Sequence, residues 1–125
     1  MRCGYKSAKY RNKKVVYRGE TFDSRHELNR WLELLLLQRS GAISDLRRQV
    51  PYELIPAQRE PDTVGKRGGI KRGRIIEQSV TYIADFVYTE CGKTVVEDAK
   101  GVRTKEYIIK RKLMLWVHGI RVREV

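Results

Sequence analysis

The chain has 125 residues, with 27 Lys and Arg against 15 Asp and Glu, a formal net charge of +12. That length suits one domain (residues 1–125) around one core, and no run reaches the roughly eighteen apolar residues of a membrane helix. The basic start also lacks the apolar core of a signal segment, so the expectation is a soluble cytoplasmic protein.

So large an excess of cations favours a polyanion as partner, nucleic acid first and an anionic membrane second. Cys3 and Cys91 lie far apart with no CxxC spacing, which argues against zinc and for two reduced thiols. His26 and His118 stand in no pattern that suggests a nucleophilic triad.

Residues 1–16 read as a basic arm, with Lys13 and Lys14 at its end and Tyr5 and Tyr10 interleaved. Such an arm neutralises phosphates and offers rings for stacking; the plain alternative is a frayed, solvated terminus. Ser24 and Glu27 then form an S-x-x-E capping box that starts a helix. Leu28, Trp31, Leu32, Leu35 and Leu36 recur at helical spacing, and Gly41 stops it. The leucine run at 34–37 implies burial on more than one side. Residues 46–55 read as a strand, Pro51 placing it at an edge or a bulge.

Residues 56–73 read as a basic flexible loop, rich in Gly and Pro and too polar to fold by itself. Its Lys66, Arg67, Lys71 and Arg72, with Arg74 just after, are candidate phosphate contacts. Residues 74–88 form either one long strand or two with a break near Gln78. Thr104 can cap a second helix reaching about Val117, with Ile109, Leu113 and Trp116 as its apolar face, though Met114 and Leu115 blur the period and leave a strand as the alternative. Lys105, Lys110, Arg111 and Lys112 then line its flanks and can meet phosphates, Lys110 and Lys112 above all. Residues 120–125 close the chain as a short alternating strand.

The chemistry concentrates between these helices. Thr81-Tyr82-Ile83-Ala84-Asp85-Phe86-Val87-Tyr88 and Thr94-Val95-Val96-Glu97-Asp98-Ala99-Lys100 are strand-like runs around a short turn. If Cys91-Gly92 is a two-residue turn, Glu90 faces Lys93 and Asp85 comes opposite Asp98; a three-residue turn sets Asp85 against Glu97. Alternation then puts Ile83, Asp85 and Val87 on one face with Val96, Asp98 and Lys100. Two carboxylates meeting across a ladder repel unless a cation resolves the conflict, and Mg²⁺ needs only one or two of them.

Asp85 followed by Asp98-Ala99-Lys100 resembles the D…(D/E)xK signature of the PD-(D/E)XK nuclease superfamily, with Ala84 where proline usually stands. The wider layout is similar to its small phage and prophage members: Phe22-x-Ser24-x-x-Glu27, Gly41-x-Ile43-x-x-Leu46-x-x-Gln49, Tyr82-Ile83-Ala84-Asp85-Phe86, then Val96 to Gly101.

The resemblance implies an α/β fold with a restriction-endonuclease-like core, a mixed sheet with a central hairpin flanked by helices. It implies a Mg²⁺-dependent DNA endonuclease, with Mn²⁺ able to substitute and 5′-phosphate products. Asp85, Asp98 and the Ala99 backbone carbonyl would hold the metal, with Glu97 in place of Asp98 if the turn has three residues. Lys100 would orient the nucleophile and stabilise charge, and Glu27 would be a further acidic residue beside the metal unless it only caps its helix. A homodimer acting on branched DNA such as Holliday junctions, in a phage-encoded recombination or replication role within a bacterial host, completes that expectation, with no small-molecule cofactor and no membrane. The competing class is a basic nucleic-acid-binding protein without catalysis, on a degenerate nuclease fold.

Overall fold

The computed structural model describes residues 13–125; residues 1–12 of the basic arm, with Cys3, lie outside the described residues. Two short strands, β1 (Val15–Tyr17) and β2 (Glu20–Phe22), pair antiparallel and lead into helix α1 (Arg25–Ser40). The helix starts as the capping box requires. Ser24 accepts the Glu27 N–H, and Gly41 at φ +86° ends it in the left-handed region where glycine is at ease. Of the leucine run, Leu34 is buried but Leu36 and Leu37 are exposed, so α1 packs along one side only.

The main sheet has four strands in the order β10-β9-β8-β3, from β3 (Ser44–Ile55), β8 (Val80–Glu90), β9 (Lys93–Asp98) and β10 (Arg123–Glu124). Its pairs are antiparallel except β9–β10, which is parallel, so the sheet is mixed and mostly antiparallel. Pro51 sits in β3, an edge strand, where a missing N–H costs no ladder bond on the open side.

Cys91 and Gly92, at φ +52° and +76°, make the two-residue turn, and Glu90 pairs with Lys93. Helix α2 (Lys105–His118) is capped by Thr104, which accepts the Tyr107 N–H, and ends at Gly119. Its buried face is Tyr107 and Met114; Ile109 and Trp116, expected inside, are 59% and 85% exposed. Apolar residues surround this helix, so spacing alone did not identify the covered side.

The segment expected to be an unpaired loop is a protruding hairpin. Strand β4 (Gln58–Arg59) pairs with β7 (Ile75–Glu77), and β5 (Thr63–Val64) with β6 (Ile70–Lys71). The break near Gln78 separates β7 from β8.

Helices α1 and α2 lie on opposite faces of the sheet. Adjacent residues of β9 divide between them: Val95 packs with Leu34 and Trp31 of α1, and Val96 with Tyr107 and Met114 of α2. Strand β8 obeys the same rule at Phe86, Val87 and Tyr88, then departs from it. Tyr82 and Ala84 join the α2 cluster, whereas Phe86 and Tyr88 belong to the α1 cluster. The alternation therefore breaks at Asp85. Arg48 pairs with Phe86 and Val50 with Ala84, so Gln49, at a φ of +52°, stands across from Asp85. Ile83 is consequently not on the apolar face with Val87 and Val96; it is 53% exposed.

Candidate active site

The β8–β9 ladder ends at the pair Phe86–Glu97. One position further, the strands no longer bond main chain to main chain. Asp85 Oδ2 instead accepts the Ala99 N–H at 2.9 Å, and Gln49 Nε2 stands 3.4 Å from Oδ1. Glu27 is buried at the foot of α1, where its Oε1 accepts the Asp23 N–H at 2.8 Å, and its carboxyl lies against Asp85. Glu27 thus caps its helix and also sits beside Asp85.

Asp98 is buried and bonded on the α2 side. Tyr82 Oη donates to its Oδ2 at 2.5 Å. Its Oδ1 stands 3.3 Å from the Lys100 ammonium but has no aligned hydrogen-bond partner, which makes that contact one of charge rather than a formed bond. The Lys100 ammonium in turn sits 4.5 Å from the centre of the Tyr107 ring.

Burial, then the adjoining Glu27 carboxyl, pushes Asp85 up to about 7 against the pull of the Ala99 N–H and Lys100. Asp98 is raised too, first by burial and then by the charge of Asp85, with the Tyr82 bond and Lys100 opposing. The same burial and the Asp98 bond hold the Tyr82 hydroxyl protonated well above its ordinary range.

Two hollows meet at this point. A cleft of about 720 Å³ runs past Lys13, Arg25, His26, Glu27, Asp85 and Lys100. A smaller one of about 270 Å³ reaches Asp85, Asp98 and Lys100 from the Tyr107 and Lys110 side.

Glu97 belongs to neither. It points to the α1 face, fully buried, where Arg30 holds both its oxygens at 2.9 and 2.7 Å and the Tyr88 hydroxyl donates to it. Its charge is already answered, so with the two-residue turn Asp98 is the acid that faces Asp85's side of the site.

Among the described residues no three side chains of His, Cys, Asp or Glu converge as a ready-made metal cage. Mg²⁺ does not require one, since one or two carboxylates plus water and phosphate oxygens suffice. The buried Asp98 Oδ1 without a hydrogen bond, beside a second carboxyl that burial raises, fits such a cation.

The chain can now be placed by comparison, because the pattern of one family runs through residues 7–121. This chain is a member of the family described as "Protein of unknown function (DUF1064)". No curated protein and no solved structure matches it. In this DUF1064 chain the matched span takes in every residue of the site just described.

The remaining expected residues are spread around that centre. Lys13 lines the larger cleft and Lys110 the smaller; Lys14, Lys66, Arg67, Lys71, Arg72 and Lys112 are exposed. Arg74 stands 3.8 Å from Glu60 on the hairpin. Arg111 is engaged by Glu124 at 3.0 Å, which removes it from the free cations of α2. Sequence reasoning missed Tyr82 and Tyr107. Regular alternation would turn Tyr82 away from Asp85 and Asp98, and only the break at Asp85 brings it round to Asp98.

Proposed function

We propose that this protein is a Mg²⁺-dependent DNA endonuclease, with a restriction-endonuclease-like core and a preference for branched DNA. The observation that carries the reading is the meeting of Asp85 and Asp98 beside Lys100, where one buried carboxyl oxygen has no hydrogen bond. Asp85, Asp98 and the Ala99 carbonyl would hold the cation. Mg²⁺ bound there supplies Lewis acidity, polarising a phosphoryl oxygen and making water a better nucleophile.

The chain's own residues do the rest. Tyr82 fixes Asp98, and the Ala99 N–H fixes Asp85, so the two carboxyls are held before a substrate arrives. Lys100 offers its ammonium to negative charge on the phosphate, held in place by Asp98 and the Tyr107 ring. Burial, and then the Glu27 carboxyl beside it, raises the proton affinity of Asp85 while no cation is bound, so a divalent cation would relieve that strain on the ionised form. Lys13, Arg25 and Lys110 line the approach and meet the DNA backbone.

A homodimer provides the two centres that symmetric cutting of a branch needs, in phage recombination or replication. The test is nicking of supercoiled plasmid in Mg²⁺ and in EDTA, with Lys100→Gln beside the wild type. Nicking that requires Mg²⁺ and falls at least about 100-fold in the variant is expected; nicking by the variant at the wild-type rate overturns the assignment.

A further inference from the structure

The protruding hairpin is unusual in what it leaves uncovered. From residue 58 to residue 77 every side chain is exposed except at Gly65 and Gly73, so the hairpin stands clear of the body. Its pairing is local. Glu60 N–H donates to the Arg74 carbonyl at 2.8 Å, Gly73 N–H to Asp62, and Gly65 N–H to the Gly69 carbonyl at the tip. Glycine at 73 is required, because a side chain there would strike the Glu60 carbonyl at 1.8 Å.

At the tip Val64 pairs directly with Ile70, which places both on one face of the ladder as an apolar ridge. They are 77% and 80% exposed. Lys66, Arg67, Lys71 and Arg72 flank the ridge, and none forms an ion pair with a described residue. An isolated two-stranded hairpin is marginal in water and gains by lying against something. The flanking charge says what that is. Four unpaired cations call for a polyanion, and two aliphatic side chains without an aromatic are too little for a membrane interface.

We propose that the Val64–Ile70 ridge is a wedge that inserts between base steps at a DNA branch, while Lys66, Arg67, Lys71 and Arg72 grip the phosphates on either side. Apolar side chains pushed between bases unstack them and open the duplex, at little cost where a branch has already weakened stacking. The hairpin thus selects branched over linear DNA. The inference rests on the nucleic-acid part of the function proposed above, and not on catalysis.

The experiment uses the full chain in EDTA, so that no cutting occurs, with 2-aminopurine next to the crossover of a four-way junction. Wild-type protein should raise the emission severalfold on the junction and little on linear duplex. Val64→Ser with Ile70→Ser should bind with the same salt dependence yet fail to raise it. Replacing Lys66, Arg67, Lys71 and Arg72 by Ala should flatten the slope of log affinity against log salt by about 3 to 4. All six positions are exposed, and far-ultraviolet dichroism checks that both variants are folded.

Emission that rises as fully with the serine variant overturns the wedge, as does binding to phosphatidylserine vesicles in preference to DNA. Unstacking without any Mg²⁺-dependent cutting in a parallel assay leaves the wedge standing and removes the nuclease. Cutting without unstacking does the reverse.

Discussion

Replacing Asp85 with Asn should stabilise the protein near pH 8 and do nothing of the kind near pH 4. The carboxyl is raised from 3.8 to about 7, chiefly by burial and then by Glu27. The folded state therefore binds its proton more tightly than the unfolded chain does. Wild-type stability is whole below about pH 4 and declines as pH rises towards 7. That displacement corresponds to a deficit of the order of 4 kcal/mol once the group is fully ionised, an upper figure because water entering the cleft relieves it. Asn avoids the deficit: its carbonyl can take the Ala99 N–H that Asp85 now accepts at 2.9 Å, and its amide can donate to Glu27. Urea melts in EDTA at several pH values measure the difference. Added Mg²⁺ should narrow the gap near pH 8 by stabilising the wild type alone. A gap that is the same near pH 4 and pH 8, or a variant less stable near pH 8, would refute the reasoning.

Tyr82→Phe leaves Asp98 Oδ2 without its donor and should cost about 1–3 kcal/mol in urea melts, with at least about 10-fold weaker Mg²⁺ binding by calorimetry. Arg30→Met strands the buried Glu97, whose next cation, Arg123, is 3.8 Å away, and should cost about 3–5 kcal/mol; adding Glu97→Leu in the same chain should recover a good part of it. Glu124 is lowered to about 2 by hydrogen bonds from Arg103 and Tyr107. The melting-temperature advantage of wild type over Glu124→Gln should hold above pH 4.5, vanish as pH falls towards 2, and shrink in high salt.

The hairpin register was legible in the sequence because Cys91-Gly92 can be read as a two-residue turn and Glu90 and Lys93 answer each other across it. The helix starts were legible for a similar reason, since Ser24 and Thr104 need only local bonds to act. What escaped was non-local. Nothing announces the positive φ of Gln49 or the break in alternation across from it at Asp85, which leaves Ile83 outward and Tyr82 towards Asp98. Helix α2 carries apolar residues at many angles between its charged ones, so period alone did not single out Tyr107 and Met114 for burial. The hairpin over Gln58 to Glu77 is held by main-chain bonds between polar, glycine-rich segments, and such bonds leave no mark in hydropathy. The acidic pair was visible; its neighbours Tyr82 and Tyr107 were not.

A nuclease site built on these acids is tested most directly by end-labelled four-way junction, flap and linear duplex DNA, incubated in Mg²⁺ or EDTA with wild type and Asp98→Asn. The account predicts cutting that is Mg²⁺-dependent, favours the branched substrates and disappears in the variant. Tight binding of all three DNAs with no cutting in Mg²⁺ or Mn²⁺ would contradict it, and the protein would then be a binding module in which Asp85 and Asp98 serve another purpose.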